Sequence, residues 1–437
     1  MSKRILFAFI LFALLAAACS DSSAPPPTAQ PGSLYVDPGR ELGEISPLIY
    51  GSNYGPWVAV PVGMMPAVEQ AGITVVRWPG GSWGDRNNLQ DYQIDQFVAF
   101  CQQIGAEPSI SVRLMEGTPE AAAELVRYTN VEKGYGIRFW SIGNEPTLFA
   151  DYLHEPYDVE RFNQEWRAIA EAMLAVDPEI QLIGPELHQY GADLASTPKD
   201  SQGKDWMTEF LRANGALVDI VSIHRYPFPR GTTGTPVTID DLRQNSAEWD
   251  QIIPYLRGLI QETTGRDIPI AVTEINTHWS KTIQGEATPD SFYNAIWWAD
   301  VLGRMINQDV YMVNHWLIVS TGAQGGWGIV DRGVVRPSYY VFMIYQQFGQ
   351  QQVYAASGVD HVSIYAARRA DGALTLMVIN LADEAQTVAL ELRGGAPDTA
   401  EIWRFDAGHN AENLGSQSLL ADALSLPGQS ITLLVLP

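Results

Sequence analysis

From about Leu48 to Leu317 the chain alternates two kinds of segment. Short runs rich in β-branched and aromatic residues recur: LIYGSN near Tyr50, ITVVRW near Val76, PSISVRL near Ser111, RFWSIGNE near Ser141, IQLIGPE near Ile183, DIVSIHRYP near Ser222, IPIAVTEIN near Val272 and VYMVNHWL near Val313. Between them lie longer stretches with helical periodicity, among them DQFVAFCQQIG, TPEAAAELVRYTN, VERFNQEWRAIAEAML and SAEWDQIIPYLRGLIQETT. The first pattern reads as buried strands, the second as helices with one apolar face. Parallel neighbours need a long return path, so strand–helix alternation implies a parallel sheet. Eight such units in about 300 residues predict an α/β fold, a (β/α)8 barrel over residues 46–350.

After about Tyr354 the texture changes. HVSIYAARR, LTLMVIN, QTVALELRG, TAEIWRF and SITLLVLP alternate apolar and polar residues, with turn residues between them. That is an antiparallel pattern, and the piece is of the right length for a β-sandwich over residues 351–437. SLYVDP, near Tyr35, is expected to add a strand to it, so residues 33–45 are grouped with the sandwich. The sandwich is expected to pack on the barrel as a structural partner. No internal repeat is visible.

The bulk composition fits this division. The chain has 437 residues and is 46% hydrophobic, enough for one large domain and a smaller one. With 27 basic and 50 acidic residues its formal charge is −23. A nucleic-acid partner, which needs a basic surface to meet phosphates, is thereby excluded, and an anionic polysaccharide is disfavoured. A neutral glycan is compatible. The 13 tryptophans point the same way, because a flat apolar ring stacks well on a sugar.

Lys3 and Arg4 precede an apolar run, Ile5–Ala18, that is too short for a comfortable transmembrane helix. Ala16, Ala17 and Ala18 stand directly before Cys19, and the stretch resembles a bacterial lipoprotein signal. Such signals usually carry Leu where this chain has Ala16. The resemblance implies a signal peptide over 1–18, lipidation at Cys19, a membrane tether and export to the bacterial cell surface or a periplasm-facing membrane, with plain secretion as the alternative. The Ser-, Pro- and Ala-rich residues 19–32 then read as a disordered spacer. The other cysteine, Cys101, falls in an apolar helical context and is expected to be buried and inert. There is no cysteine cluster for zinc and no loop with calcium-ligand spacing, so neither a metal nor an organic cofactor is expected.

In barrels of this kind the active site forms where the strands end and the βα loops begin. The fourth run ends in Gly143-Asn144-Glu145-Pro146 and the seventh in Thr273-Glu274-Ile275-Asn276. Each sets a carboxylate at the rim after an apolar run, an odd choice for packing alone. The ends of strands four and seven face each other across the barrel mouth. Two carboxyl groups about 5–5.5 Å apart suit retaining glycoside hydrolysis. Glu116 and Glu186, after the third and fifth runs, are the replacement candidates.

FWSIGNEP resembles the acid/base motif of the clan-A glycoside hydrolases, and the resemblance covers essentially the whole chain outside the signal and spacer. It implies that Glu145 is the acid/base and Glu274 the nucleophile of a double displacement. It further implies that Asn144 bonds the 2-hydroxyl of the sugar, that Tyr226 holds Glu274 ionised, that Arg77 lies near the nucleophile, and that Trp316 forms the floor of the sugar subsite. His224 is either a sugar contact or a satisfied buried histidine. Asn53 and Asn276 are candidate hydroxyl contacts, and Trp83, Trp279, Trp327 and Trp57 candidate walls of further subsites. Gly80 and Gly81 allow close backbone approach. VVRWPGGS is similar to arabinofuranosidases of the clan, and NEPTLF with the segment after it to its β-xylosidase, endoglucanase and xyloglucanase families. The expected substrate is a neutral plant cell-wall-type polysaccharide such as β-glucan, xyloglucan or xylan. The alternatives are a glycan-binding surface lipoprotein without catalysis, or a transglycosidase using the same two glutamates.

Overall fold

A computed structural model describes residues 27–228, 236–419 and 423–437. The segment expected to be a signal peptide, residues 1–18, and Cys19 lie outside the described residues. Eight parallel strands close into a barrel in sequence order: β2 (Gly51–Asn53), β3 (Val75–Trp78), β4 (Glu107–Val112), β5 (Phe139–Ile142), β6 (Gln181–Leu187), β7 (Ile220–Arg225), β8 (Ile270–Ile275) and β9 (Met312–His315). Closure is made by β2 on β9, where Gly51 pairs with Asn314 and Ser52 with His315. All eight strand-like runs of the sequence are therefore barrel strands.

The helices between them follow from local chemistry. The helix Asp91–Ile104 starts at a capping box between Gln90 and Gln93 and stops at Gly105, whose φ of 72° only a residue without Cβ adopts freely. It buries Ile94, Phe97, Val98, Cys101 and Ile104, spaced three and four apart, against the barrel wall. The helix Val159–Val176 begins at Asp158, whose side chain accepts from the Arg161 amide, and buries Phe162, Trp166, Ile169 and Met173.

Inside the barrel, side chains are layered along the strand axis. Val75, Phe139, Ile183, Ile220, Ala271 and Met312 form an apolar floor near the strand starts. Side chains alternate faces along a strand, so the residues two further on point the same way. Those residues include Arg77, Ser141, Ser222, Thr273 and Asn314, all buried. The interior thus turns from apolar to polar toward the C-terminal ends of the strands.

The second domain is one continuous nine-stranded sheet. It contains β1 (Ser33–Glu44), β10 (Gln351–Ser357), β11 (Val362–Arg368), β12 (Leu374–Asn380), β13 (Gln386–Leu392), β14 (Thr399–Asp406), β15 (His409–Ser418), β16 (Ala423–Leu426) and β17 (Ser430–Leu436). Their order is β15-β14-β17-β12-β11-β10-β1-β13-β16. Val388 and Leu424 from one end share a hydrophobic core with Ala400 and Ile402 from the other, so the sheet folds over on itself as a sandwich. β1 lies between β10, antiparallel, and β13, parallel. Residues 27–32 are docked, in contrast to the disordered spacer expected there. The Tyr354 hydroxyl donates to the Pro27 carbonyl at 2.6 Å and the Gly32 amide to the Gly358 carbonyl at 2.9 Å. Pairing β1 into the sheet brings the residues just before it against the same surface.

The sandwich packs on the barrel through Tyr365, Met377, Ile379 and Leu433, which join the barrel's own hydrophobic core. The Tyr365 hydroxyl donates to the buried Asp300 carboxylate at 2.6 Å, and Phe405 stacks on Phe292 with centroids 5.1 Å apart. Among the described residues no helix is long and apolar enough to cross a membrane.

Candidate active site

The polar end of the barrel opens into a cavity of about 420 Å³. Glu145, at the end of β5, and Glu274, in β8, both line it, and an oxygen of each lies within 4.8 Å of the other. Their surroundings differ. Glu274 Oε1 accepts from Arg77 Nη1 at 2.9 Å and from the Gly81 amide at 3.0 Å, and Oε2 accepts from the Tyr226 hydroxyl at 2.8 Å. Glu145 instead meets two imidazoles at a single oxygen. Its Oε1 lies 2.8 Å from His188 Nδ1 and 3.0 Å from His224 Nδ1.

Beneath the pair lies a buried charge network. Arg77 Nη1 also donates to Asn53 Oδ1 at 3.1 Å, and Nη2 to Asn144 Oδ1 at 2.9 Å, while Nη2 stands 3.2 Å from Glu186 Oε2. Glu186 is wholly buried and its Oε2 also takes the Thr273 hydroxyl and His224 Nε2, each at 2.6 Å. A register shift between Ile223 and His224 sets His224 opposite Glu274. Such irregularities re-aim side chains near active sites.

The protonation pattern follows from these contacts. Burial disfavours charge on His224, but Glu274 and the bonds to Glu145 and Glu186 outweigh it and raise the imidazole to about 9. Burial likewise opposes the Arg77 charge and is outweighed by Glu186 and Glu274. Glu186 is pushed up by burial and pulled further down by Arg77 and His224, ending below the usual carboxylate range. Burial and the charge of Glu274 push the Tyr226 hydroxyl well above its usual value, so it stays a donor. For Glu145, burial acts upward, and the hydrogen bonds from His188 and His224 win, leaving the carboxyl low.

Three tryptophans wall the cavity. The Trp316 ring covers Gly80 and Gly81, where a Cβ would stand 2.8 Å from the ring, so glycine at both positions lets it settle against the loop that donates to Glu274. Trp57 stacks on Trp316 from behind, with centroids 6.0 Å apart. Trp327 is fixed by its indole N–H to the His278 carbonyl at 2.8 Å, and Trp279 is 48% exposed at the rim.

Other expected residues sit elsewhere. Asn53 is fully buried and faces no cavity: its amide donates to the Thr273 and Asn314 carbonyls, and its carbonyl takes Arg77. It is an anchor for Arg77 and not a hydroxyl contact. Asn276 braces the Trp316 carbonyl at 2.6 Å. His224 lies under the carboxylates, spent on Glu145 and Glu186, and is the satisfied buried histidine of the two readings. Trp83 opens the short helix Trp83–Arg86, half-buried, and does not line the cavity. Asn144 gives its carbonyl to Arg77, while its buried Nδ2 has no hydrogen-bond partner among the described residues, and the residue does not line the cavity. Glu116 points to solvent beside Arg113, 68% exposed.

Two residues without a sequence signal complete the site. Asp85 is buried and accepts from the Leu114, Met115 and Asn144 amides, tying the ends of β4 and β5 together. Burial pushes its carboxyl up to about 6. His188 is the other. Glu145, His224 and Glu274 have donor atoms close enough to share a cation. However, His224 already gives its Nδ1 to Glu145, and Arg77 stands 2.9 Å from Glu274, so the set is arranged for proton chemistry.

The chain is a glycoside hydrolase by its family. The sequence model of glycosyl hydrolases family 39 matches residues 124–387, more than half of the chain, and the chain belongs to that family. Residues 360–433 match the C-terminal immunoglobulin-like domain of D-apionate lactonase. An intracellular exo-α-(1→5)-L-arabinofuranosidase of Streptomyces lividans is 23% identical over 252 residues, 44% of this chain and 37% of that enzyme. Its counterpart in Halalkalibacterium halodurans is 25% identical over 291 residues, 52% of this chain and 53% of that enzyme. The chain thus spans between a third and about half of the length of these curated relatives. Among solved structures, the bifunctional glucanase-xylanase CelM2 from a metagenome library superposes with a TM-score of 0.74 at 19% identity, covering 94% of this chain and all of that one. The α-L-arabinofuranosidase of Thermotoga maritima in complex with arabinose does so at 0.72 and 18%, covering 92% of this chain and all of the other.

Proposed function

We propose that the protein hydrolyses glycosidic bonds of neutral plant cell-wall-type glycans by double displacement, with Glu145 as acid/base and Glu274 as nucleophile. The observation that carries this is the asymmetry of two neighbouring carboxylates. Glu274 is held by Arg77, Tyr226 and the Gly81 amide, while Glu145 has one oxygen engaged and the other without a hydrogen-bond partner among the described residues. In the first step Glu274 attacks the anomeric carbon as Glu145 gives its proton to the leaving oxygen, and the C–O bond breaks to leave a glycosyl ester. In the second, Glu145 takes a proton from water, whose oxygen attacks the anomeric carbon and frees Glu274. The required proton shuttle has a physical basis in the pocket. A sugar filling the cavity excludes water and favours neutral Glu145; once Glu274 is esterified its negative charge is gone and the carboxylate of Glu145 is favoured again.

The relatives' names point to arabinofuranosides, and the structural neighbour CelM2 to glucan and xylan. The three tryptophans and the absence of a basic rim among the cavity-lining residues support a neutral sugar in either case. The test is hydrolysis of arabinoxylan, xylan, xyloglucan, β-glucan and aryl glycosides by wild type, Glu145→Ala and Glu274→Ala, with the product anomer followed by NMR. Glu274→Ala is expected to lose activity by a factor on the order of 10⁴–10⁶. Azide is expected to restore Glu145→Ala on activated aryl glycosides, giving a glycosyl azide of retained configuration. An unimpaired Glu274→Ala, or inverted product, removes the reading. Binding without cleavage across the panel would make the protein a glycan-capturing one.

A further inference from the structure

The segment after β6 is fastened in an unusual shape. Glu186 and Gln189 both have left-handed backbone, with φ of 58° and 52°, a region that non-glycine residues adopt only when their surroundings hold them there. The bonds that hold this segment run to β7, to the residues just after it and to Glu145. The Gln189 side chain brackets the Tyr226 backbone, donating to its carbonyl at 2.8 Å and accepting from its amide at 2.9 Å. The Tyr190 amide donates to the His224 carbonyl, and the Glu186 carbonyl accepts from the Glu145 amide. Between these fixed points stands His188, aimed back over Glu145 from the cavity side, with its side chain 23% exposed.

Both imidazoles at Glu145 meet the same atom, Oε1. An Nδ1–H can donate to that oxygen whether the carboxyl is ionised or protonated on the other oxygen. His224 is locked into this role by Glu186 on its far side. The other groups that face Glu145 are Glu274 and Tyr226 across the cavity, Asp151 at its rim, and Arg77 and Asp85 behind Asn144. None of them makes a hydrogen bond to Glu145 Oε2.

We propose that His188 is a positioning residue for the acid/base: with His224 it claims Glu145 Oε1, so that the proton exchanged with the leaving group and with water is carried on Oε2. The inference rests on the assignment of Glu145 as acid/base. His188 does not touch the bond that breaks; it acts through the carboxyl, so its effect scales with the need for acid assistance.

The experiment compares His188→Ala, His188→Asn and Glu145→Ala on a series of aryl glycosides from good to poor leaving groups, with kcat/KM measured against pH. His188→Ala is expected to lose about 10- to 100-fold on poor leaving groups, the worth of one hydrogen bond to a charged acceptor, and less than about threefold on the most activated one. Its basic limb of kcat/KM is expected to move to higher pH, because a donor that favoured the carboxylate is gone while the reaction still needs the protonated form. Asn places an amide N–H near the Nδ1 position, so His188→Asn is expected to recover most of the loss. A uniform loss over the series, a change in KM alone with an unmoved basic limb, or no recovery in His188→Asn would reduce His188 to a wall of the pocket. If Glu145→Ala itself shows no dependence on the leaving group, the acid/base assignment falls, and this inference with it.

Discussion

At the mouth of the barrel the interior holds Arg77, Glu186, His224, Thr273 and Glu274, whereas the interior of the sandwich is made of Leu34, Val36, Leu376, Val378, Leu390 and Leu434. Both sets are buried to a similar degree. In the sandwich any close-packed apolar set of the right volume satisfies the requirement. At the barrel mouth each buried charge needs a particular partner at a particular distance, and losing one strands another. Arg77 alone serves Asn53, Asn144, Glu186 and Glu274. Burial in the first region supports the fold; in the second it sets the proton and charge states on which the chemistry depends.

Three substitutions sharpen this contrast. The largest effect is expected from Arg77→Met, which removes the guanidinium shared by two buried carboxylates, Glu186 and Glu274. It should lower stability by about 3–5 kcal/mol in denaturant unfolding and abolish most of the activity of the molecules that remain folded. A variant with near wild-type turnover would show that the network is not needed to hold Glu274 ready. Next comes Leu376→Ala in the sandwich core, expected to cost about 2–5 kcal/mol of stability with kcat per folded molecule unchanged. A parallel fall in kcat would mean that the sandwich tunes the site and does not only support it. The smallest is Trp279→Ala. Its ring is half exposed at the rim, so melting should be unaffected while KM rises roughly tenfold through lost stacking, about 1–1.5 kcal/mol. An unchanged KM on every glycan tested would remove Trp279 from the binding surface.

The same contrast explains what could be read from the sequence. The eight barrel strands were legible because each is an apolar run bounded by helical periodicity, and Glu145 and Glu274 were legible because a carboxylate directly after such a run stands out. Strand β15, HNAENLGSQS, carries no such signal: it is an edge strand with almost nothing buried, so it has no apolar alternation. Strand position alone also could not separate the glutamates. Glu116, Glu145 and Glu186 all follow or end strands with left-handed backbone, yet one is in solvent, one lines the cavity and one lies under it. His188 and Asp85 were hidden for a related reason. Their contacts depend on how the short helix Trp83–Arg86 and the turn after β6 are set, and neither carries a pattern in the sequence that predicts where its side chains point. Asn53 was placed at the correct strand end, but its side chain is turned to the neighbouring backbone and Arg77, and not to the cavity.

The position of β1 has a consequence for how the protein is made. Its neighbours in the sheet, β10 and β13, are encoded roughly 300 or more residues later. A ribosome adding about 5–20 residues per second needs roughly 15–60 s to deliver them. During that interval the whole barrel can emerge and close, while β1 waits with both hydrogen-bonding edges open to other polypeptides. Fidelity of synthesis therefore turns on shielding one short segment until β10 and β13 have been made, and a binding partner, chaperone or fused domain that occupies it in the meantime competes directly with completion of the sheet.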